Sequence, residues 1–152
     1  MKLRIVPPVL TFLSGLAMWA IANYIEFGEF EVEASWRKSV FLVFMILGSA
    51  SGMAAIIAFR AAKTSLDPMN PSKTSVLITE GIFQWTRNPM YLGLLAILIG
   101  WAFYLQNALA LFVLAFFYVY MSRVQIKSEE EALQEKFGES YTVYTEKVRR
   151  WL

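Results

Sequence analysis

Three stretches of the chain carry no charged residue: 6–25, 39–59 and 88–122. The first two are 20 and 21 residues long, and about 20 helical residues cross the roughly 30 Å hydrocarbon layer of a bilayer. The third, at 35 residues, is too long for one crossing. Its middle holds Gln106-Asn107, flanked by apolar blocks of 17 and 15 residues. That pattern predicts a tight helical hairpin, with one arm over 89–105 and the other over 108–122. Four spans follow: 6–25, 39–59, 89–105 and 108–122. A cytoplasmic loop over 60–88 and a cytoplasmic helical tail over 123–152 complete the expected single domain.

Composition supports this all-α, integral-membrane reading. Of the 152 residues, 57% are hydrophobic and 17% charged, against about 45–50% and 25% in soluble domains. Disordered chains, coiled coils and disulfide-rich modules are excluded. The chain has no Cys and no His. A disulfide, a thiol nucleophile, a Ser-His-Asp triad and the common zinc and haem ligand sets are therefore absent, and no metal is expected. The net charge of +2 gives no reason to expect nucleic acid.

The loops set an orientation. With both termini on the cytoplasmic side, 12 of the 14 Lys and Arg residues fall there, as the positive-inside rule favours. Gly28 and Asn107 then face the opposite side. The segment 6–25 is longer than the hydrophobic part of a signal peptide, so it is expected to be kept as a span. Span two carries Gly48-Ser49-Ala50-Ser51-Gly52 and several alanines. Small residues let helices approach closely, which places this span centrally and permits a homodimer.

Two polar regions carry candidate chemistry. The 60–88 loop is long, yet its second half is too apolar and aromatic for disorder and should pack on the bundle. Asn88-Pro89 reads as a helix start, with Asn capping free N–H groups and Pro in the first turn. Arg87, Tyr91 and Gly93 cluster on that opening turn, whose positive dipole end suits an anionic group. In the tail, Glu130, Leu133 and Phe137 fall within about 40° of Ile126 at helical spacing. Glu130 thus lies in an apolar stripe, Glu129 flanks it, and Glu131 points to solvent. A buried carboxylate without a partner is costly. The expected partners of Glu130 are Arg87, Arg123 or a bound ligand. Gly138 ends that helix, and a second amphipathic helix follows with Tyr141, Tyr144, Val148 and Trp151 on one face and Arg149 and Arg150 away from it.

Taken together, Thr79-x-Gly81-x-Phe83, Arg87-Asn88-Pro89-Met90-Tyr91-Leu92-Gly93, an apolar hairpin, and Glu129-Glu130-x-x-Leu133-x-x-x-Phe137-Gly138-x-x-Tyr141-x-x-Tyr144-x-x-x-Val148-x-Arg150-Trp151 resemble the isoprenylcysteine carboxyl methyltransferase family. The related phospholipid N-methyltransferases share the core of the pattern. The resemblance covers roughly residues 74–152. It implies a four- or five-span membrane methyltransferase that uses S-adenosylmethionine without a Rossmann site. The cofactor would lie on the cytoplasmic side, and a lipophilic or small acceptor would enter from the bilayer.

Carried over, the cofactor shell is Arg87, Asn88, Tyr91, Gly93, Glu129 and Glu130, with Tyr141 and Tyr144 as lid residues. The family often has His where this chain has Asn88, which cannot serve as a proton-transfer base. A carboxylate or thiolate acceptor needs none, whereas an amine must lose a proton, which a buried Glu such as Glu130, or water, could take. Arg123 or Lys127 could hold an anionic acceptor. Two other readings of the sequence remain: a non-enzymatic four-span interaction or lipid-binding protein, and an NADPH-dependent membrane reductase on a related scaffold.

Overall fold

A computed structural model describes residues 5–64 and 75–152. The basic amino-terminal residues and the Asp67–Lys73 part of the long loop, both used in the charge argument, lie outside the described residues. Within them the chain is helical, with one isolated β-bridge between Glu29 and Asn107. The helices are α1 (Pro7–Tyr24), α2 (Ala34–Ala61), α3 (Pro89–Leu105), α4 (Ala110–Tyr120), α5 (Lys127–Phe137) and α6 (Glu139–Lys147). A 3-10 turn at Gly81–Gln84 precedes α3, and a π turn at Met121–Ile126 joins α4 to α5.

The expected helices are present, with two corrections to their limits. Helix α2 begins at Ala34, ahead of the charged Arg37-Lys38 pair. Arg37 does not end the helix because its charge is satisfied on the bundle: its guanidinium lies 5.0 Å from the Tyr104 ring centre and donates to Gln106 Oε1 at 2.7 Å. The second hairpin arm does not stop at Ser122. It continues through the π turn into α5 as one helix, Ala110–Phe137. The end of an uncharged stretch marks a change of surroundings, and backbone hydrogen bonding runs straight through it.

The hairpin turn lies where the amide pair placed it. Gln106 adopts the left-handed conformation (φ 55, ψ 35) that ends α3. Asn107, 1% exposed, accepts from the Leu109 N–H through Oδ1 and donates to the Phe27 carbonyl through Nδ2. The turn is bonded to the α1–α2 connection by Phe30 N–H to Gln106 O (3.0 Å), Ala108 N–H to Gly28 O (2.7 Å) and Gln106 Nε2 to Val32 O (3.1 Å).

Helix α3 is the centre of the bundle and packs against α1, α2 and α4. Its contact with α2 is backbone to backbone: a Cβ on Gly48 would lie 2.5 Å from the Gly93 carbonyl oxygen, and one on Gly93 would overlap Gly48. Ser51 Oγ donates to Pro89 O at 2.7 Å, beside the start of α3. One core joins Leu10, Met18, Tyr91, Leu98, Ala102, Ala110, Phe117, Met121 and Ile126. A second joins Ala55, Phe83, Tyr141, Tyr144 and Val148, and seats α6 on the end of α2 and the 3-10 turn. Between α1 and α2, floored by α3, lies an open apolar cleft of about 370 Å³ lined by Phe12, Leu16, Trp19, Phe41, Met45 and Trp101 among others.

The exterior is unlike that of a soluble protein. Phe12, Leu42, Ile46, Phe112 and Phe116 are all more than half exposed. Helices α2 and Ala110–Phe137 are long and apolar enough to cross a bilayer. An apolar surface of this extent is stable against lipid and unstable against water.

Candidate functional site

The first turn of α3, the first turn of α5, and the chain from α6 to Trp151 meet at one end of the bundle. Pro89 opens α3 and keeps Asn88 before it out of the helical region (φ −131, ψ 56). The Arg87 N–H donates to the Arg149 carbonyl at 3.0 Å. Asn88 Nδ2 donates to the Arg150 carbonyl at 2.9 Å, and the Thr86 hydroxyl donates weakly to the same oxygen. The Asn88 side chain therefore does not cap α3, as the sequence suggested. It straps the tail to the site, while the Asn88 N–H donates to Thr86 Oγ1 at 3.1 Å.

This strap corrects the reading of the second tail helix. Helix α6 ends at Lys147, and Val148 is extended (φ −122, ψ 130). Tyr141, Tyr144 and Val148 do share a buried face. Trp151 leaves it to donate to Ser122 Oγ at 3.1 Å and to pack on the Tyr118 ring. Arg150, expected to point away, turns inward instead.

At the centre is Glu130. Its carboxylate receives Arg150 in a bidentate pair, Nε to Oε1 at 3.0 Å and Nη2 to Oε2 at 2.5 Å. Arg87 Nη1 reaches Oε1 at 3.0 Å from the other side. The Arg87 and Glu130 side chains are 14% and 18% exposed, so solvent screens the pair only in part. Glu130 therefore has the partner its place on the apolar stripe required, and the second arginine is Arg150. Arg123 is exposed and outside this cluster. Lys127 pairs on the surface with Glu131, both about two-thirds exposed. The structure thus brings neither Arg123 nor Lys127 to Glu130: Arg123 lies within the π turn on an exposed face, and Lys127 is on the surface with Glu131.

Glu129 faces the α3 side. Its Oε1 accepts from the Tyr91 hydroxyl at 2.5 Å and from Gln125 Nε2 at 2.5 Å. Tyr91 is 6% exposed and Gln125 fully buried. Tyr141 receives an Arg87 donor at 3.4 Å. Burial, followed by the nearby Glu130 charge, pushes the Tyr141 hydroxyl above its ordinary pKa despite the arginines. Burial likewise pushes Tyr144 up. The Tyr144 hydroxyl is committed to the Phe83 carbonyl at 2.7 Å, so it anchors α6. The hydrogen bonds from Arg150 to Glu130 hold that guanidinium firmly protonated.

Of the sequence-derived residues, Arg87, Tyr91, Glu129, Glu130 and Tyr141 converge, with Asn88 fastening the tail beside them. Gly93 has a packing role at the α2 crossing, where any side chain would strike Gly48. Arg150 and Gln125 were missed as site residues. Arg150 was visible only as a member of the tail motif; Gln125 was visible only as an amide four residues before Glu129.

The apolar exterior, two helices long and apolar enough to cross a bilayer, and a cluster of carboxylates and guanidiniums at the first turn of α3 define a helical, membrane-type protein with a polar site at one end of the bundle. The sequence profile of the phospholipid methyltransferase family matches residues 36–140, and the chain belongs to that family. The Protein-S-isoprenylcysteine O-methyltransferase of Tribolium castaneum is 30% identical over 118 residues, 76% of this chain and 41% of that protein. The Protein-S-isoprenylcysteine O-methyltransferase B of Arabidopsis thaliana is 29% identical over 113 residues, 74% of this chain and 57% of that protein. An uncharacterized Haemophilus influenzae protein is 46% identical over 63 residues, its full length and 41% of this chain. The chain spans about half the length of the two methyltransferases. No solved structure matches it.

Proposed function

We propose that the protein is an integral-membrane methyltransferase that uses S-adenosylmethionine and acts on a lipophilic or small acceptor, with an isoprenylcysteine-type carboxylate favoured by its relatives. The observation that carries this reading is the convergence of Arg87, Tyr91, Glu129, Glu130 and Tyr141 from separate segments of the family motif. The donor set suits the cofactor. Carboxylates match its amino and hydroxyl groups, and guanidiniums match its carboxylate. Arg87 Nε is buried with no hydrogen-bond partner among the described residues.

In this reading Glu129, Glu130 and Arg87 hold the cofactor, Tyr141 closes over it, and the strap through Arg150 excludes water. When bound, S-adenosylmethionine supplies a methyl group already activated on a sulfonium. The protein then has to align the acceptor and keep the site dry. A carboxylate acceptor needs no general base, which fits a site without His. The apolar cleft between α1 and α2 offers room for a lipophilic tail. Its floor at Leu98 lies about 10 Å along α3 from Tyr91.

The same reading has four helices crossing the bilayer, both termini and the site on the cytoplasmic side of the cell membrane, and Gly28 and Asn107 outside. Charge-free α1 and α3 and the distribution of Lys and Arg support it. Calorimetry on protein in nanodiscs tests the central claim. S-adenosylhomocysteine should bind in the micromolar range, about −8 kcal/mol, and NADPH should not compete. Tight NADPH binding without an S-adenosylhomocysteine signal would favour a reductase, and binding of neither would leave a non-enzymatic role.

A further inference from the structure

The helix that carries the acidic pair is regular except at Met121–Ile126, where it widens into a π turn. Ala110 and Phe117 of α4 and Met121, the first residue of the turn, form one buried line, each 0% exposed. Continued at about 100° per residue, a straight α-helix would carry Glu129 some 100° off that line, away from α3. A π turn closes its hydrogen bonds one residue later than an α turn, so it takes up one extra residue and sets the helix back by about the same angle. Glu129 thereby returns to the α3 side, where it meets Tyr91.

The turn also buries two adjacent pairs, Met121-Ser122 and Gln125-Ile126. Ser122 receives Trp151 of the strap, and Gln125 donates to Glu129 from a fully buried position. A buried amide is costly unless bonded, so an apolar residue would serve packing better at position 125. Its bond to the carboxylate supplies the reason for its presence.

We propose that Gln125, delivered by the π turn, is a positioning residue of the cofactor pocket. It pins the Glu129 carboxylate against Tyr91 in the orientation that receives the cofactor. The proposal rests on the methyltransferase reading only for the identity of the ligand.

Two measurements test it on the full chain in nanodiscs. The first is S-adenosylhomocysteine affinity of Gln125→Leu, Glu129→Gln and the double variant. Gln125→Leu should weaken binding about tenfold, as expected for loss of a charge-assisted hydrogen bond. In the Glu129→Gln background the same change should alter binding by less than about twofold, since Gln125 acts through Glu129. A purely structural role would lower the melting temperature equally in both backgrounds and leave no such coupling.

The second measurement is the carboxyl carbon NMR signal of Glu129 in ¹³C-glutamate-labelled protein without ligand, assigned by its loss in Glu129→Gln. It should be a single sharp line that broadens and shifts in Gln125→Leu. Should Gln125→Leu fail to fold, Gln125→Asn keeps the amide but shortens its reach and should behave alike. Unchanged affinity with an unchanged line would overturn the proposal, as would equal affinity losses in both backgrounds. If the wild type binds no S-adenosylhomocysteine, the cofactor reading fails, and with it the ligand role of Gln125. The NMR line then still decides whether Gln125 positions Glu129.

Discussion

Glu130 and Arg150 form a two-point ion pair across twenty residues of chain, with donor–acceptor distances of 3.0 and 2.5 Å. Arg87 completes the cluster from the turn before α3. This pair ties the last residues of the tail to the middle of the family motif, so the site and the docking of the tail share one carboxylate.

Substituting that carboxylate should therefore affect two observables. Glu130→Gln should weaken S-adenosylhomocysteine binding by roughly 10- to 150-fold, the range for losing a charge-assisted bond. It should also destabilise the fold by about 1–3 kcal/mol, less than a fully buried broken pair because solvent reaches both partners. Glu131→Gln, at an exposed position, should shift affinity by less than about twofold. Calorimetry and thermal unfolding of both variants check this. Normal affinity in a destabilised Glu130→Gln would reduce the cluster to a structural ion pair.

Arg150, which the structure pairs with Glu130, and Arg123, which the sequence suggested as its partner, should separate cleanly. Arg150→Gln should weaken ligand binding at least about tenfold and expose the strap to protease, because it removes a bidentate contact. Arg123→Gln should leave both within about twofold on account of its exposure. The reverse result would restore Arg123 as the functional cation.

Tyr144→Phe removes the hydroxyl that holds α6 to Phe83, at a cost of about 1 kcal/mol. Its pH signature follows from burial, which raises the pKa of Tyr141 and Tyr144 above the ordinary 10.0. A group with a raised folded pKa stabilises fully below its unfolded value and loses that contribution as pH climbs through the folded one. Wild-type stability should therefore fall above pH 10 or so. In Tyr141→Phe/Tyr144→Phe the alkaline decline should be shallower, measured as melting temperature between neutral and strongly alkaline pH.

The opposite end of the bundle should affect stability alone. Gln106→Leu strips Arg37 of an acceptor and Val32 of a donor, while Arg37 Nε already lacks a partner among the described residues. A loss of about 2–3 kcal/mol is expected, with ligand affinity unchanged. A large affinity loss in this variant would mean that the two ends are coupled.

Legibility in the sequence followed the physics of each feature. Helix α3 spans Pro89–Leu105, the limits read from Pro at one end and the amide pair at the other, because both signals are local. The division between Glu130 and Glu131 was also legible, since apolar periodicity on α5 fixes which carboxylate is shielded. Arg150 was misplaced because helical periodicity was extended past Lys147, where the backbone becomes extended. The π turn has no compositional mark: Met121–Ile126 reads as ordinary helix, and only the hydrogen-bond register distinguishes it. Gly93 was assigned to the site by its motif neighbours, whereas its reason lies 45 residues upstream at Gly48.

That crossing of Gly48 and Gly93 is a joint without side chains. Most helix contacts have some tolerance, because a rotamer can change and take up a few tenths of an ångström. Two peptide planes in direct contact have no such adjustment. The spacing of α2 and α3 is thereby set by van der Waals contact of backbone on backbone at a point two residues from Tyr91. The joint acts as the datum from which the rest of the site is measured.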